Sequence, residues 1–305
     1  MEQSPEFLKA EFDYFYNALV EFRDSRISWK YSLMPDDEFA RKTDGVEAAE
    51  IYWREMLYRI HCTVIVSFVK SLRWIDGFKE AQKASNYYSY VTNLRGFIES
   101  TADSFYTLKV VNLTISKDFE VIRRSLIKDS VVLLDHKRLE ESLIHFTHAA
   151  RVEGRIKLNI PKHFSAKQIK QYLDSIDDEQ GNLDKLYSFL SSIAHPTGYS
   201  NMVILEHRDF DFIITTNTKQ IEAYNINKLS ESSLTSIHAI FTTLCICGFL
   251  SLKLINKLGV KELSTTFEFE KHINGMPAWK EMLEYIDASI ELYDAAERSG
   301  KYNQL

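Results

Sequence analysis

Residues that end helices are scarce in this chain: its 305 residues include 10 glycines and 5 prolines. A protein with many short strands needs a tight turn between them, and glycine and proline supply most such turns. Their scarcity predicts long helices, and the length suffices for one large domain or two modest ones. We therefore predict a mainly α fold, a helical bundle with long helices and one small β-hairpin.

Helical spacing of apolar residues and capping signals place the individual helices. Capping boxes are expected to start helices at Asp44 and Ser165, Ser116 is expected to cap another, and Gly77 is expected to break the second helix. The predicted helices span approximately residues 4–31, 44–74, 87–113, 116–152, 165–176, 183–196, 229–258 and 277–298.

The period of the pattern changes after Pro196. Two stretches rich in β-branched and aromatic residues, Met202–Glu206 and Phe210–Thr216, predict the β-hairpin. No internal repeat or linker is evident, so residues 1–305 are predicted to form a single helical domain. The alternative is a division into a helical bundle at 1–198 and the hairpin with the C-terminal helices at 199–305.

Charge and hydropathy limit the functional classes. A net charge of −6 disfavours a surface devoted entirely to nucleic acid. The apolar stretch Ala239–Leu252 is shorter than the roughly 20 residues that cross a bilayer, which predicts a buried core helix and no membrane partner. No signal peptide is evident, and Cys62, Cys245 and Cys247 suit free thiols, so we expect a cytoplasmic protein.

The stretch Leu183–Pro196 carries the first candidate site residue. Pro196 disfavours helical geometry in the residue before it, so the helix is expected to end at His195. The negative end of a helix dipole favours the charged form of a histidine, which makes His195 a candidate acid or phosphate-binding group. The alternative is a helix cap with no chemical task.

Arg95 is the second candidate, at the edge of an apolar helical face that includes Val91 and Leu94. An unpaired buried guanidinium is very costly, and Glu99, one turn later, can pair with it. Two interpretations stay open. The pair is either a structural salt bridge between helices or the charged floor of a pocket that faces His195.

Two short motifs connect these candidates: Arg-x-x-x-Glu on one helix and Tyr-x-x-Leu-Ser-x-x-Ala-His-Pro on a later one. The pattern resembles an uncharacterised family of all-helical bacterial proteins and, more distantly, the HEPN superfamily of helical bundle proteins. The resemblance covers about a third of the chain, from Tyr87 to Pro196. The motif residues are Arg95, Glu99, Tyr187, Leu190, Ser191, Ala194, His195 and Pro196.

This resemblance implies a metal-independent ribonuclease of a toxin–antitoxin or phage-defence system, because many HEPN proteins have that activity. In those proteins an arginine and a histidine on one helix act on the RNA phosphate. Here residues 189–194 include no arginine, so Arg95 would have to act from another helix. In that arrangement His195 handles a proton or the phosphate, and Arg95, paired with Glu99, stabilises phosphate charge.

A third polar group combines Glu141, His145 and His148, which share one helical face. Such a face can hold a metal ion, but no fourth ligand is evident and the resemblance implies no metal. A solvated helix face is therefore the prediction, with no metal site.

A basic run between residues 151 and 170 could contact phosphates, an acidic protein or only water. The predicted function is a helical binding module of a bacterial defence or toxin–antitoxin type system, with a protein or RNA partner. The 16 tyrosines and 19 phenylalanines suit a protein or homo-oligomer interface, and no glycine-rich fingerprint predicts a nucleotide or other cofactor. The alternative is a HEPN-like metal-independent ribonuclease. The predicted binding residues are Tyr187, Ser191, Arg151, Arg155, Lys157 and Lys162.

Overall fold

The computed structural model of this chain is mainly α-helical, as predicted. It describes residues 5–41, 45–129, 136–150, 161–177, 181–208, 211–214, 216–265 and 270–299. Within these ranges the helices are α1 Pro5–Asp24, α2 Asp36–Phe39, α3 Gly45–Lys83, α4 Tyr87–Leu108, α5 Val111–Lys117, α6 Phe119–Leu126, α7 Lys137–His148, α8 Ile169–Leu173, α9 Asn182–Ala194, α10 Gly198–Met202, α11 Lys219–Leu258, α12 Glu270–Gly275 and α13 Pro277–Arg298.

The chain folds into two compact units, each assembled from three separate segments. The segments of the first unit are Met1–Ser25, Ser67–Tyr106 and Lys167–Cys245. Those of the second unit are Arg26–Val66, Thr107–Ala166 and Ile246–Leu305. The long helices α3 and α11 contribute residues to both units.

The core of the first unit is built around α4. Leu94 and Ile98 are completely buried, as their helical spacing predicts. On the same helix, the ring of Phe97 packs 6.0 Å from that of Phe78 on α3 and 6.2 Å from that of Phe241 on α11. Burial of this face fixes the rotation of α4 and therefore the direction of its polar edge, where Arg95 lies.

The core of the second unit contains a directed chain of hydrogen bonds through His61. The Tyr31 hydroxyl lies 2.7 Å from Nδ1 of His61, and Nε2 of His61 lies 3.2 Å from Oγ1 of Thr265. Because Thr265 donates its own hydrogen to the carbonyl oxygen of Leu263, it accepts from His61 Nε2–H, and Nδ1 accepts from Tyr31. Burial lowers the pKa of His61 to about 4, so the imidazole in this series of hydrogen bonds is neutral at pH 7.

The predicted break at Gly77 is wrong, because α3 continues through it to Lys83. A Cβ atom at residue 77 would overlap the side-chain amide of Asn93 on α4. The glycine therefore permits the close approach of two helices rather than ending one of them.

Two predicted caps are also wrong. Ser116 lies inside α5, where its hydroxyl donates to the carbonyl oxygen of Asn112 at 2.7 Å. Ser165 does not open α8, which begins after Gln168 without a side-chain capping bond. The predicted cap at Asp44 lies outside the described residues.

Several predicted helix bounds change as well. α1 ends at Asp24, α4 ends at Leu108, and the predicted helix 116–152 is replaced by α5, α6 and α7 where the chain is described. α11 begins ten residues earlier than predicted, at Lys219 instead of residue 229, and ends before Gly259, whose φ is +78°. The predicted C-terminal helix is confirmed as α13.

The hairpin is not formed over the predicted ranges. Met202 instead ends α10. Apart from one isolated bridge, strand pairing in the described part of the chain is confined to three residues on each side, β1 Glu206–Arg208 antiparallel to β2 Asp211–Ile213. β1 includes His207 and Arg208, which lie between the two predicted stretches, so β-branched and aromatic composition misplaces this strand.

α11 is the one helix, among those the structure describes, whose length and composition would allow it to cross a membrane. Of its most apolar 18-residue window, 72% is buried inside the fold. That burial agrees with the core-helix prediction for Ala239–Leu252.

Candidate functional site

Helix α9 positions most of the residues that the motifs single out. Its first turn is capped by the carboxylate of Asp177, which accepts hydrogen bonds from the backbone N–H groups of Leu183 at 2.9 Å and Asp184 at 3.0 Å. Gly181 precedes the helix with a φ of +64°, a conformation that favours glycine. At the other end, His195 takes the extended conformation that the following proline requires, so α9 ends where the sequence predicts.

The turn that connects α9 to α10, directly after His195, is hydrogen-bonded to α4. Thr197 and Ser200 form a capping box that starts α10, with the Thr197 side chain accepting from the Ser200 N–H. The Tyr88 hydroxyl on α4 donates to the carbonyl oxygen of Ser200 at 2.5 Å. These bonds fix the direction in which the chain leaves α9 and keep His195 beside α4.

Arg95, Glu99, Tyr187 and His195 meet in one hydrogen-bonded group, which we call the Arg95 cluster. Arg95 donates from Nε to Oε1 of Glu99 at 2.9 Å and from Nη2 to the Tyr187 hydroxyl at 3.1 Å. That hydroxyl donates to the same Oε1 atom at 2.7 Å, which closes a ring of three hydrogen bonds. Nη1 of Arg95 lies 3.0 Å from Nε2 of His195. The two motifs therefore lie on neighbouring helices and share one site.

The contact with Arg95 determines the form of the His195 ring. A guanidinium can only donate, so in this contact Nε2 of His195 accepts and the ring proton lies on Nδ1. The dipole at the end of α9 favours the charged form of His195, whereas the contact with Arg95 favours a neutral ring, because an imidazolium would place two donors and two positive charges against each other.

The positive charge of Arg95 and the negative charge of Glu99 cancel within the Arg95 cluster. The Arg95 side chain is 23% exposed and that of Glu99 38% exposed, so their ion pair is only partly screened by water. Burial lowers the pKa of Arg95, but hydrogen bonding to Tyr187 and the charge of Glu99 outweigh it and raise the pKa overall. Burial and donation to Glu99 raise the pKa of Tyr187. Arg95 therefore stays charged and the Tyr187 phenol stays protonated at neutral pH.

The other predicted binding residues do not join this cluster. Ser191 lies on α9 between Tyr187 and His195, and its hydroxyl is buried without a hydrogen-bond partner among the described residues. Lys162 is exposed in a 3-10 turn of the second unit. The remaining three, Arg151, Arg155 and Lys157, lie outside the described residues.

The face with Glu141, His145 and His148 has local partners. Nδ1 of the buried His145 lies 2.9 Å from the carbonyl oxygen of His163, so Nδ1 carries the proton and donates. The Glu141 carboxylate lies 3.7 Å from Nδ1 of His163. Among the described residues no three His, Cys, Asp or Glu side chains are grouped so that they could hold a metal ion.

Sequence reasoning missed the residues that support the Arg95 cluster. Asp177 caps α9 from outside the helix, Tyr88 ties α10 to α4, and Thr197 starts α10. The sequence could have predicted the cap at Thr197, because a threonine directly after a proline and three residues before a serine is typical of a helix start. The roles of Asp177 and Tyr88 depend on tertiary contacts that carry no local pattern.

No protein-family model, curated protein or solved structure matches this chain. Function is therefore inferred from the geometry of the Arg95 cluster and of the surface beside it.

Proposed function

We propose that this chain is a helical binding module of a bacterial defence or toxin–antitoxin type system, active in the cytoplasm, which binds a partner without catalysing a reaction. The system type follows from the motif resemblance alone. Binding rather than catalysis is supported first by the 2.9 Å ion pair between Arg95 and Glu99. Because the carboxylate cancels the guanidinium charge, the Arg95 cluster offers little net attraction to a phosphate.

The state of His195 supports the same proposal. A general base needs a lone pair that can accept the proton it removes. In the neutral ring of His195, Nε2 already accepts from Arg95, and Nδ1 carries a proton. Both nitrogen atoms are therefore unsuited to remove a proton while the Arg95 cluster is intact.

A metal-independent ribonuclease is the second candidate, and the Arg95–His195 contact itself favours it. Two residues from separate helices meet at 3.0 Å, and His195 is exposed where a substrate can reach it. A phosphate that accepted the Nη1 hydrogen of Arg95 would replace His195 as the acceptor. Nε2 would then be free to take or return a proton, and Arg95 would stabilise the phosphate charge.

RNA cleavage decides between the two candidates. The wild type, His195→Ala, Arg95→Ala and the surface control Lys280→Ala are incubated with total RNA and with tRNA in the presence of a chelator. Absence of cleavage by all four proteins supports the binding module. Cleavage by the wild type and the control that is lost in both folded site variants would establish the ribonuclease and overturn the binding proposal.

A further inference from the structure

A groove of about 950 Å³ lies within the first unit and is lined in part by α9, the helix that carries Tyr187. Its walls are α9, α10, the turn after α10 and the first part of α11, with Tyr87 at the start of α4. The described lining is predominantly aliphatic and aromatic, and it includes Phe189, Met202 and Tyr224. We call this surface the α9–α11 groove. No motif residue contributes to it, so it is a separate feature of the first unit.

Aromatic side chains at the groove stay in contact with water. Tyr199 is 50% exposed and Tyr224 is 65% exposed, and the ring of Phe189 packs edge-on to Tyr199 at 5.9 Å between centroids. Tyrosine and other aromatic residues dominate the binding energy of many protein interfaces, because they bury much apolar area at little entropic cost. Several of them around one concave surface are typical of a protein-binding site.

The charged residues of the described lining are Lys185 and Lys228, and no acidic residue is among them. The charged side chains of the described lining are thus positive, although the chain as a whole carries a net charge of −6 and the nearby Glu222 carboxylate accepts from the backbone of Tyr87. This favours a ligand with acidic side chains. A nucleic acid is less suitable, because two lysines neutralise few phosphates.

The walls also restrict the backbone of the ligand. The hydrogen-bonding groups of α9, α10 and α11 are used within those helices, so the walls offer no strand edge to which an extended peptide could pair. A bound segment must satisfy its own backbone groups, which a helix does. Apolar side chains at every third or fourth position of such a helix would enter the groove.

We propose that the α9–α11 groove binds an amphipathic helical segment of a partner protein, with apolar residues facing the groove and acidic residues beside Lys185 and Lys228. This proposal rests on the binding function proposed above and names the class of partner. In this proposal the aromatic side chains contribute most of the binding energy, and the lysines favour partners with acidic side chains.

Synthetic peptides test this proposal. The first probe is a fluorescent helical peptide of about 16 residues, long enough to hold some helix in water, with leucines along one face and glutamates elsewhere. The second probe has lysines in place of the glutamates, and the third is a single-stranded RNA of similar length. Binding to the wild type, Tyr224→Ser and Lys228→Glu is followed by fluorescence anisotropy. The matched controls are Leu292→Ser and Lys280→Glu, which alter an exposed leucine and an exposed lysine on α13.

We expect the acidic peptide to bind the wild type and both controls equally, and to bind Tyr224→Ser and Lys228→Glu roughly tenfold more weakly. We expect the basic peptide to bind at least about tenfold more weakly than the acidic one. Three results would overturn the proposal: no binding of the acidic peptide, equal binding to all variants, or RNA binding that the same two substitutions remove. None of these results involves RNA cleavage, so failure here stays distinct from failure of the proposed function.

Discussion

Nη1 of Arg95 and Nε2 of His195 lie 3.0 Å apart, although 100 residues separate them in the chain. The bond joins α4 to the end of α9, and it makes an exposed histidine an acceptor rather than an acid. Each side chain thereby limits what the other can do. Arg95 donates one of its hydrogens to Nε2 of His195, and Nδ1–H of His195 is left for other partners.

Tyr187→Phe should lower the free energy of unfolding by about 1 kcal/mol, because it removes the hydroxyl that joins Arg95 to Glu99. Chemical denaturation of the variant and the wild type measures the difference. Tyr224→Phe, which alters a hydroxyl on a mostly exposed ring, is the control and should change stability little. Equal effects of both substitutions would mean that the hydrogen-bonded ring does not stabilise the fold.

Glu99→Gln should convert the balanced Arg95 cluster into a cationic one. The glutamine can still accept from Arg95 but no longer cancels its charge. Millimolar inorganic phosphate should therefore raise the melting temperature of the variant and not that of the wild type, relative to chloride at equal ionic strength. Glu284→Gln, at an exposed position on α13, is the control. A phosphate response shared by the wild type and Glu99→Gln would contradict the argument from charge balance.

Acid should destabilise the protein through His61. Its pKa is lowered to about 4 in the folded protein, whereas an unfolded histidine titrates near 6.5. Between these values the unfolded chain binds the additional proton, so stability is complete above pH 6.5 and falls as the pH is lowered towards 4. The loss should reach about 3 kcal/mol.

Unfolding free energies measured from pH 7 to pH 4 test this contribution. His61→Gln should be less stable at neutral pH but should show a smaller loss on acidification than the wild type. His148→Gln, at an exposed position, should follow the wild-type profile. A wild-type pH profile in His61→Gln would assign the acid sensitivity to other groups.

Asp177→Ala should weaken the start of α9 by about 1 kcal/mol, because two backbone N–H groups lose their acceptor. Hydrogen exchange of the first turn of α9 should accelerate, while exchange in the buried middle of α4 stays slow. Asp174→Ala is the control, because the described contact of the Asp174 carboxylate is an exposed ion pair with Lys170 at 3.3 Å. Unchanged exchange at Leu183 and Asp184 would show that the cap contributes nothing.

The sequence predicts best where the physical cause is local. The bounds of α13 follow from a proline at its start and from apolar residues at helical spacing. The buried face of α4 follows from the same spacing. The candidate Arg95 follows from its place at the edge of the apolar face of α4, and the candidate His195 from its place before Pro196 at the end of a helix.

Features that depend on tertiary contacts could not be predicted in this way. Glycine often ends a helix, but Gly77 lies inside α3, where a larger residue would overlap the side-chain amide of Asn93. The dipole of α9 favours a charged His195, whereas the contact with Arg95 favours Nε2 as an acceptor. In each case a residue on another helix acts against the preference of the local sequence.

The closed ring of Arg95, Glu99 and Tyr187 also has an evolutionary consequence. A glutamate codon becomes a glutamine codon by a single base change. At residue 99 that change would keep the hydrogen bonds but leave the positive charge of Arg95 without a negative partner. The same fold would then display a positive patch at the end of α9. One nucleotide thus separates a surface that is indifferent to phosphate from one that attracts it.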